Sequence, residues 1–87
     1  MMKGEISCGF TFEVDEKVLD NMELVDAIGE ADTNPLAVTR VFNMLLGEEQ
    51  KKRLYNYLRN EEGRVPVKAA AEALAEIFKA AGQKGKN

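Results

Sequence analysis

The 87-residue sequence predicts one mainly α-helical domain: a small bundle of about four helices preceded by one N-terminal β-strand or extended segment. Apolar and polar residues alternate without a break over 6–14, which is the period of a strand. Over 15–81 apolar residues instead recur every three or four positions, the period of a helix. The aromatic share is only 7% and Trp is absent, so Leu, Val, Ile and Ala must supply most of the core.

The predicted strand has one apolar face and no predicted partner. Its apolar face comprises Ile6, Cys8, Phe10, Phe12 and Val14. An unpaired strand edge recruits other chains, so this segment indicates binding or self-association. The alternative is that Phe10 and Phe12 fold back onto the helices as core residues. Cys8 is the single cysteine, and its place on the apolar face predicts a small buried side chain.

The first predicted helix runs from its N-cap Asp15 to about Ala31. Its apolar stripe comprises Val18, Met22, Val25 and Ile28, and Leu19 and Leu24 widen it. The second helix spans about 35–46, with Asn34 as its cap and Pro35 at its first position.

Gly47 is predicted to end the second helix in a left-handed conformation, and the third helix then spans about 48–60. The fourth helix begins at Pro66 and ends near Ala81, and residues 82–87 are predicted to be a flexible tail. Its core stripe comprises Val67, Ala70, Ala71, Leu74, Ile77, Phe78 and Ala81. A second face carries Ala69, Ala73 and Ala80, which predicts packing on two sides. The alternative is that alanine is simply the best helix former.

The charge is divided unequally between the two parts of the chain. Residues 1–32 carry a net charge of −7 and residues 33–87 carry +4, which together give −3. Such a division favours head-to-tail contact between copies, although helices that differ in surface charge would give the same count. The negative total argues against a general nucleic-acid binder. No apolar run has transmembrane length and the first residues lack a signal-peptide pattern, so we expect a cytoplasmic protein without membrane contact.

The residue types argue against catalysis. Histidine, the commonest general base and metal ligand, is absent. The single thiol has no partner base, and the carboxylates recur at the spacing of solvated helix faces. We therefore predict no enzyme activity, no cofactor and no metal site.

A helix-turn-helix regulator is the alternative function, because a short turn joins the second and third helices. A recognition helix presents basic and amide side chains from its first turns. Here Glu48 and Glu49 come first, and only residues 50–53 suit contact with DNA. A small protein that inhibits another protein belongs to the same alternative.

Residues 34–78 read NPLAVTRVFNMLLGEEQKKRLYNYLRNEEGRVPVKAAAEALAEIF, and FEVDEKVLD precedes them. Over about residues 10–81 this order of blocks resembles the tail assembly chaperones of long-tailed phages and prophages of Gram-positive bacteria. The shared features are an acidic first helix, an Asn-Pro-Leu start, Leu-Leu-Gly-Glu-Glu-Gln, a segment ending Gly-Arg-Val-Pro-Val, and an Ala/Glu-rich helix.

The resemblance implies a non-enzymatic protein that keeps the tape measure protein soluble, promotes polymerisation of the tail tube protein and is absent from the mature virion. It also implies a homo-oligomer and, in many members, a longer frameshifted form. We expect the surface for the partner or for self-association to comprise Ile6, Phe10, Phe12, Val14, Ala69, Ala73 and Ala80. Binding there would cover exposed apolar stripes of a helical tape measure protein until tube subunits compete for them.

Overall fold

The computed structural model describes residues 1–84, with side chains described through residue 81, and confirms the mainly α class. The elements in chain order are β1 (Met2–Glu5), β2 (Thr11–Val14), α1 (Glu16–Leu19), α2 (Met22–Ala31), α3 (Leu36–Leu58) and α4 (Val67–Lys84). The predicted tail begins too early, because α4 continues through residue 84. Residues 85–87 of that tail lie outside the described part of the chain.

The predicted single strand is one arm of a hairpin. Strands β1 and β2 pair antiparallel, with Met2 opposite Val14 and Glu5 opposite Thr11. The connecting turn is closed by two backbone bonds, from the Ile6 N–H to the Phe10 carbonyl (3.0 Å) and from the Gly9 N–H to the Ile6 carbonyl (2.9 Å). The expectation of a strand without a partner is therefore wrong. Strand β1 was missed because Met-Lys-Gly-Glu lacks the β-branched and aromatic residues that mark strands.

The inner face of the hairpin supplies much of the core. Phe10 is fully buried, and Phe12 and Val14 are each 1% exposed. They form one cluster with Leu24 of α2, Leu54 of α3 and Ile77 of α4. Cys8 is exposed, contrary to prediction, because the turn between the strands interrupts the alternation on which that prediction depended.

The first predicted helix is two helices. Asp15 caps α1 as predicted, since its Oδ1 accepts the Lys17 N–H at 3.0 Å. The chain then breaks at residues 20–21, and Asn21 caps α2 by accepting the Glu23 N–H at 2.9 Å. The break leaves only part of the predicted stripe against the core, where Val18, Leu19 and Ile28 are half-buried. Met22 is 69% exposed and Val25 49% exposed, contrary to prediction, whereas Leu24 is buried as predicted and Ala27 is buried as well.

Helix α3 contains the predicted break at Gly47. Asn34 caps its first segment, since its Oδ1 accepts the Leu36 N–H at 3.1 Å. Gly47 has φ 79° and ψ 167°, so φ is positive as predicted but ψ is extended rather than left-handed helical. The two segments, 36–46 and 48–58, match the predicted second and third helices within about two residues.

Helix α4 packs against both α3 and β1. Ala73 is 2% exposed, and Ala69 and Ala80 are half-buried. The helix thus contacts another helix and the hairpin, and Ala80 of its predicted alanine face lies beside Ile6. In contrast, Val67 and Ala71 of its predicted core stripe are exposed.

Candidate protein-binding surface

The surface predicted from the sequence is largely inside the molecule. Ile6 is 5% exposed, and Phe10, Phe12 and Val14 are buried more deeply. Of the three predicted alanines of α4, Ala73 is buried, and Ala69 and Ala80 are half-buried. Exposure of these residues is therefore an incorrect prediction, and the alternative, in which the strand folds back onto the helices, describes the structure.

A different apolar surface lies between α2 and α4. It is a groove of roughly 200 Å³ with Val38 and Leu74 at its base. Its walls, which define the α2–α4 groove here, are Ile28 and Ala31 of α2 and Ala71, Ala75 and Phe78 of α4. Ala71 and Ala75 are exposed and the other three are half-buried. The groove is thus a shallow, accessible cleft with small side chains along one wall.

Exposed apolar side chains extend both walls of the α2–α4 groove. Val67, 61% exposed, lies one turn before Ala71 on the same face of α4. Val25, 49% exposed, lies one turn before Ile28 on α2. Exposed apolar surface that continues beyond a cleft is typical of sites where another polypeptide packs.

The two walls differ in charge. Helix α2 and the residue after it carry only acidic charged groups, and Asp32 itself lines the groove. Of these carboxylates, Glu30 has a cation nearby, the Arg40 guanidinium at 3.8 Å. Helix α4 carries Lys68 and Lys79 together with acidic residues, so its wall is mixed. A ligand in the groove would meet negative charge along the α2 side.

Sequence reasoning missed this groove because it placed all seven apolar residues of α4 in one core stripe. Those residues cover a wider arc of the helix than one packing contact can bury. The excess at Val67 and Ala71 was the available signal. The position of α2 relative to α4 decides which of these residues stay exposed, and that position could not be derived from the sequence.

A larger and more polar hollow, roughly 590 Å³, surrounds the break in α3. Residues 46–50, Glu13 and Arg53 line it. The Arg53 guanidinium lies 5.4 Å from the centroid of the Phe10 ring, within range of a cation–π contact. The two helical segments meet at Gly47 alone, whereas a helix-turn-helix has a turn of three to four residues. This geometry adds no support to the DNA-binding alternative.

Comparison of the chain with protein-family models, curated proteins and solved structures finds no match. Within residues 1–84, no three carboxylate, thiol or imidazole groups lie close enough together to bind a metal ion. No helix in the same part of the chain combines the length and apolarity needed to cross a bilayer.

Proposed function

We propose that this chain is a phage tail assembly chaperone that binds an amphipathic helix of the tape measure protein in the α2–α4 groove. In this role it keeps the tape measure protein soluble in the host cytoplasm and promotes tail tube polymerisation without any catalytic step. The proposal draws on the resemblance of residues 10–81 to such chaperones. The single structural observation that supports it is the accessible apolar groove walled by Ala71 and Ala75.

The shape of the groove suits a helix better than an extended peptide. Ala71 and Ala75 are one turn apart, and side chains this small allow a second helix to approach closely. Ile28 and Phe78 provide larger apolar contacts beside them. Helix-in-groove recognition uses apolar anchors at i, i+3 or i+4 and i+7, a pattern that a long helical protein presents repeatedly.

The charge of the walls selects the orientation of the bound helix. Lysine or arginine residues flanking its apolar stripe would lie near Asp32 and the other carboxylates of α2. Such charges at the rim of an interface mainly affect the rate of association, and they weaken as salt is added. Release then requires tube subunits to compete for the same stripe of the tape measure protein.

Co-expression with a candidate tape measure protein tests the proposal. The variant Ala75→Glu places a carboxylate in the groove, and it should abolish co-purification and leave the tape measure protein insoluble. Asn56→Glu is the matched control, since it adds the same charge at an exposed position of α3 away from the groove.

The contrast between the two variants decides the outcome. Equal loss of binding in both would show that general charge matters and would exclude the groove. Undiminished solubility of the tape measure protein with Ala75→Glu would overturn the proposed site. A tape measure protein that stays insoluble with the unchanged chain would overturn the chaperone function, and salt-sensitive retention on DNA would favour the regulatory alternative.

A further inference from the structure

The hydrogen-bond pattern of the hairpin fixes which backbone groups point outward. The Ile6 N–H bonds to the Phe10 carbonyl, so this pair is a hydrogen-bonded pair of the antiparallel ladder. Pairing alternates along a ladder, which makes Gly4–Phe12 and Met2–Val14 bonded pairs as well. The backbone groups of Lys3 and Glu5 must therefore point away from β2.

The two edges of this hairpin differ in whether their outward-pointing backbone groups are hydrogen-bonded. On the β2 edge, the side-chain amide of Gln50 bonds to both the N–H and the carbonyl of Glu13, at 2.7 and 2.8 Å. On the β1 edge, the backbone groups of Lys3 and Glu5 have no hydrogen-bond partner within residues 1–81, and both residues are exposed. Strand β1 thus offers an open template for another strand.

The sequence of β1 is complementary to itself when two copies run antiparallel. We propose that β1 pairs with β1 of a second copy of this chain about a two-fold axis at Gly4. In this register Lys3 lies opposite Glu5 of the partner subunit, and Glu5 lies opposite Lys3 of the partner subunit. These are also the residues whose backbone groups point outward, so the two opposite-charge pairs coincide with four backbone hydrogen bonds.

The remaining neighbours are compatible with this register. On the outer face, Lys3 already lies 3.4 Å from the Glu13 carboxylate, so pairing produces a row of alternating charge across the joined sheets. On the inner face, Met2 of the partner subunit lies opposite Ile6. Both side chains are already buried in the core of their own subunit, Met2 at 7% and Ile6 at 5% exposure, so this pair adds little new contact.

The expected association is weak because the strands are short. Each β1 has four residues, and four backbone bonds with two exposed ion pairs give much less contact than a standard interface of about 1,600 Å². The dimer should therefore form and dissociate with concentration. This pairing goes beyond the proposed chaperone function, which needs only the α2–α4 groove.

Charge reversal at Lys3 and Glu5 tests the register, because combining the two reversals should restore the dimerisation that each one weakens. Lys3→Glu alone places a carboxylate opposite Glu5 of the partner subunit, and Glu5→Lys alone places like positive charges together. Each single variant should dimerise about tenfold more weakly than the unchanged chain. An equimolar mixture of the two should dimerise as well as the unchanged chain, because each cross-strand pair is again of opposite charge. The double variant should also dimerise alone.

Sedimentation equilibrium over a range of concentrations measures these affinities, with any tag placed after residue 87 so that β1 is unaltered. Loss of the internal Lys3–Glu13 contact affects Lys3→Glu by itself and cannot explain rescue by mixing. A strictly monomeric unchanged chain, single variants that dimerise normally, or a mixture without rescue would each overturn the proposal. None of these results would bear on binding of the tape measure protein in the groove.

Discussion

The side chain of Gln50 binds the backbone of Glu13 as a neighbouring strand would. Its Oε1 accepts the Glu13 N–H at 2.7 Å, and its Nε2 donates to the Glu13 carbonyl at 2.8 Å. The same Nε2 donates to the Leu46 carbonyl at 2.9 Å, beside the break at Gly47. One amide thus joins the hairpin to both segments of α3 and closes one edge of the sheet.

Replacement of Gln50 by Ala should lower the free energy of unfolding by about 1–2 kcal/mol, because three hydrogen bonds are lost at a half-buried position. Gln50→Glu should lower it as well, since a carboxylate cannot donate to the two carbonyls. Urea denaturation measures both effects, and amide exchange at Glu13 should accelerate in Gln50→Ala, which leaves that N–H without its acceptor. Lys52→Ala, on the exposed face of the same helix, is the control. Equal stability of all four proteins would show that the amide contributes nothing.

A second prediction compares two glycines that have equal space around them. Apart from the adjacent residues and the local helix backbone, no atom would lie within 4 Å of a Cβ added at Gly47 or at Gly29. Gly47 has φ 79° and ψ 167°, a region that essentially only glycine adopts, so Gly47→Ala should destabilise the chain by about 1–3 kcal/mol. Gly29 lies inside α2 without a positive φ, so Gly29→Ala should stabilise it by about 0.5–1 kcal/mol.

Thermal denaturation of the two alanine variants checks these opposite signs. Since neither methyl group meets a neighbour, crowding does not contribute to the comparison. A stabilised Gly47→Ala protein would mean that the two segments of α3 can join as one regular helix.

The third prediction concerns the aromatic core of the hairpin. Phe12 is 1% exposed, and truncation of a buried Phe to Ala costs about 3–5 kcal/mol. Phe12→Ala should therefore lose much of its helical circular dichroism on mild heating, and the double replacement of Phe10 and Phe12 by Ser should unfold the chain. Thr11→Ala, on the outer face of the same strand, should keep its helix content. If the double Ser variant stayed helical and unfolded cooperatively, Phe10 and Phe12 would not be needed for the core, and the hairpin face that carries them could bind a partner.

The sequence predicted best those boundaries that local chemistry determines. Local backbone preferences mark a helix start at Asn34–Pro35 and at Pro66, and a break at Gly47. The observed boundaries lie within a few residues of these positions. The break at Asp20 and Asn21 was missed because both residues are tolerated inside helices, although Asn21 is also a favoured N-cap and caps α2 here.

Features that depend on contacts distant in the chain could not be read in the same way. Strand β1 forms because it pairs with β2. Its four residues have low strand propensity, so the sequence alone does not predict this pairing. The α2–α4 groove requires the relative position of two helices about 40 residues apart in the chain, so its walls were assigned to the core. The alternation over 6–14 correctly indicated one buried face, but a turn inside it moved Cys8 to the surface.

The last prediction uses the contact between Ser7 in the hairpin turn and Glu76 of α4. The Ser7 N–H donates to Glu76 Oε1 at 3.0 Å, and the Ser7 hydroxyl donates to Oε2 at 2.8 Å. The backbone bond, followed by the hydroxyl bond, holds the pKa of the Glu76 carboxyl below its ordinary value of about 4.5. A pKa that is lower in the folded than in the unfolded chain adds stability above pH 4.5, and that stability is lost as the pH falls through the folded value.

Glu76→Gln should accordingly be less stable than the unchanged chain at pH 7, and the difference should shrink below about pH 4.5 and vanish in stronger acid. Ser7→Ala should show a smaller change of the same sign, because the backbone donor remains. Urea denaturation at a series of pH values measures both, with Glu72→Gln, one turn earlier on α4, as the control. A difference between Glu76→Gln and the unchanged chain that stays constant from about pH 7 to about pH 3 would show that the carboxylate charge has no part in joining the hairpin to α4.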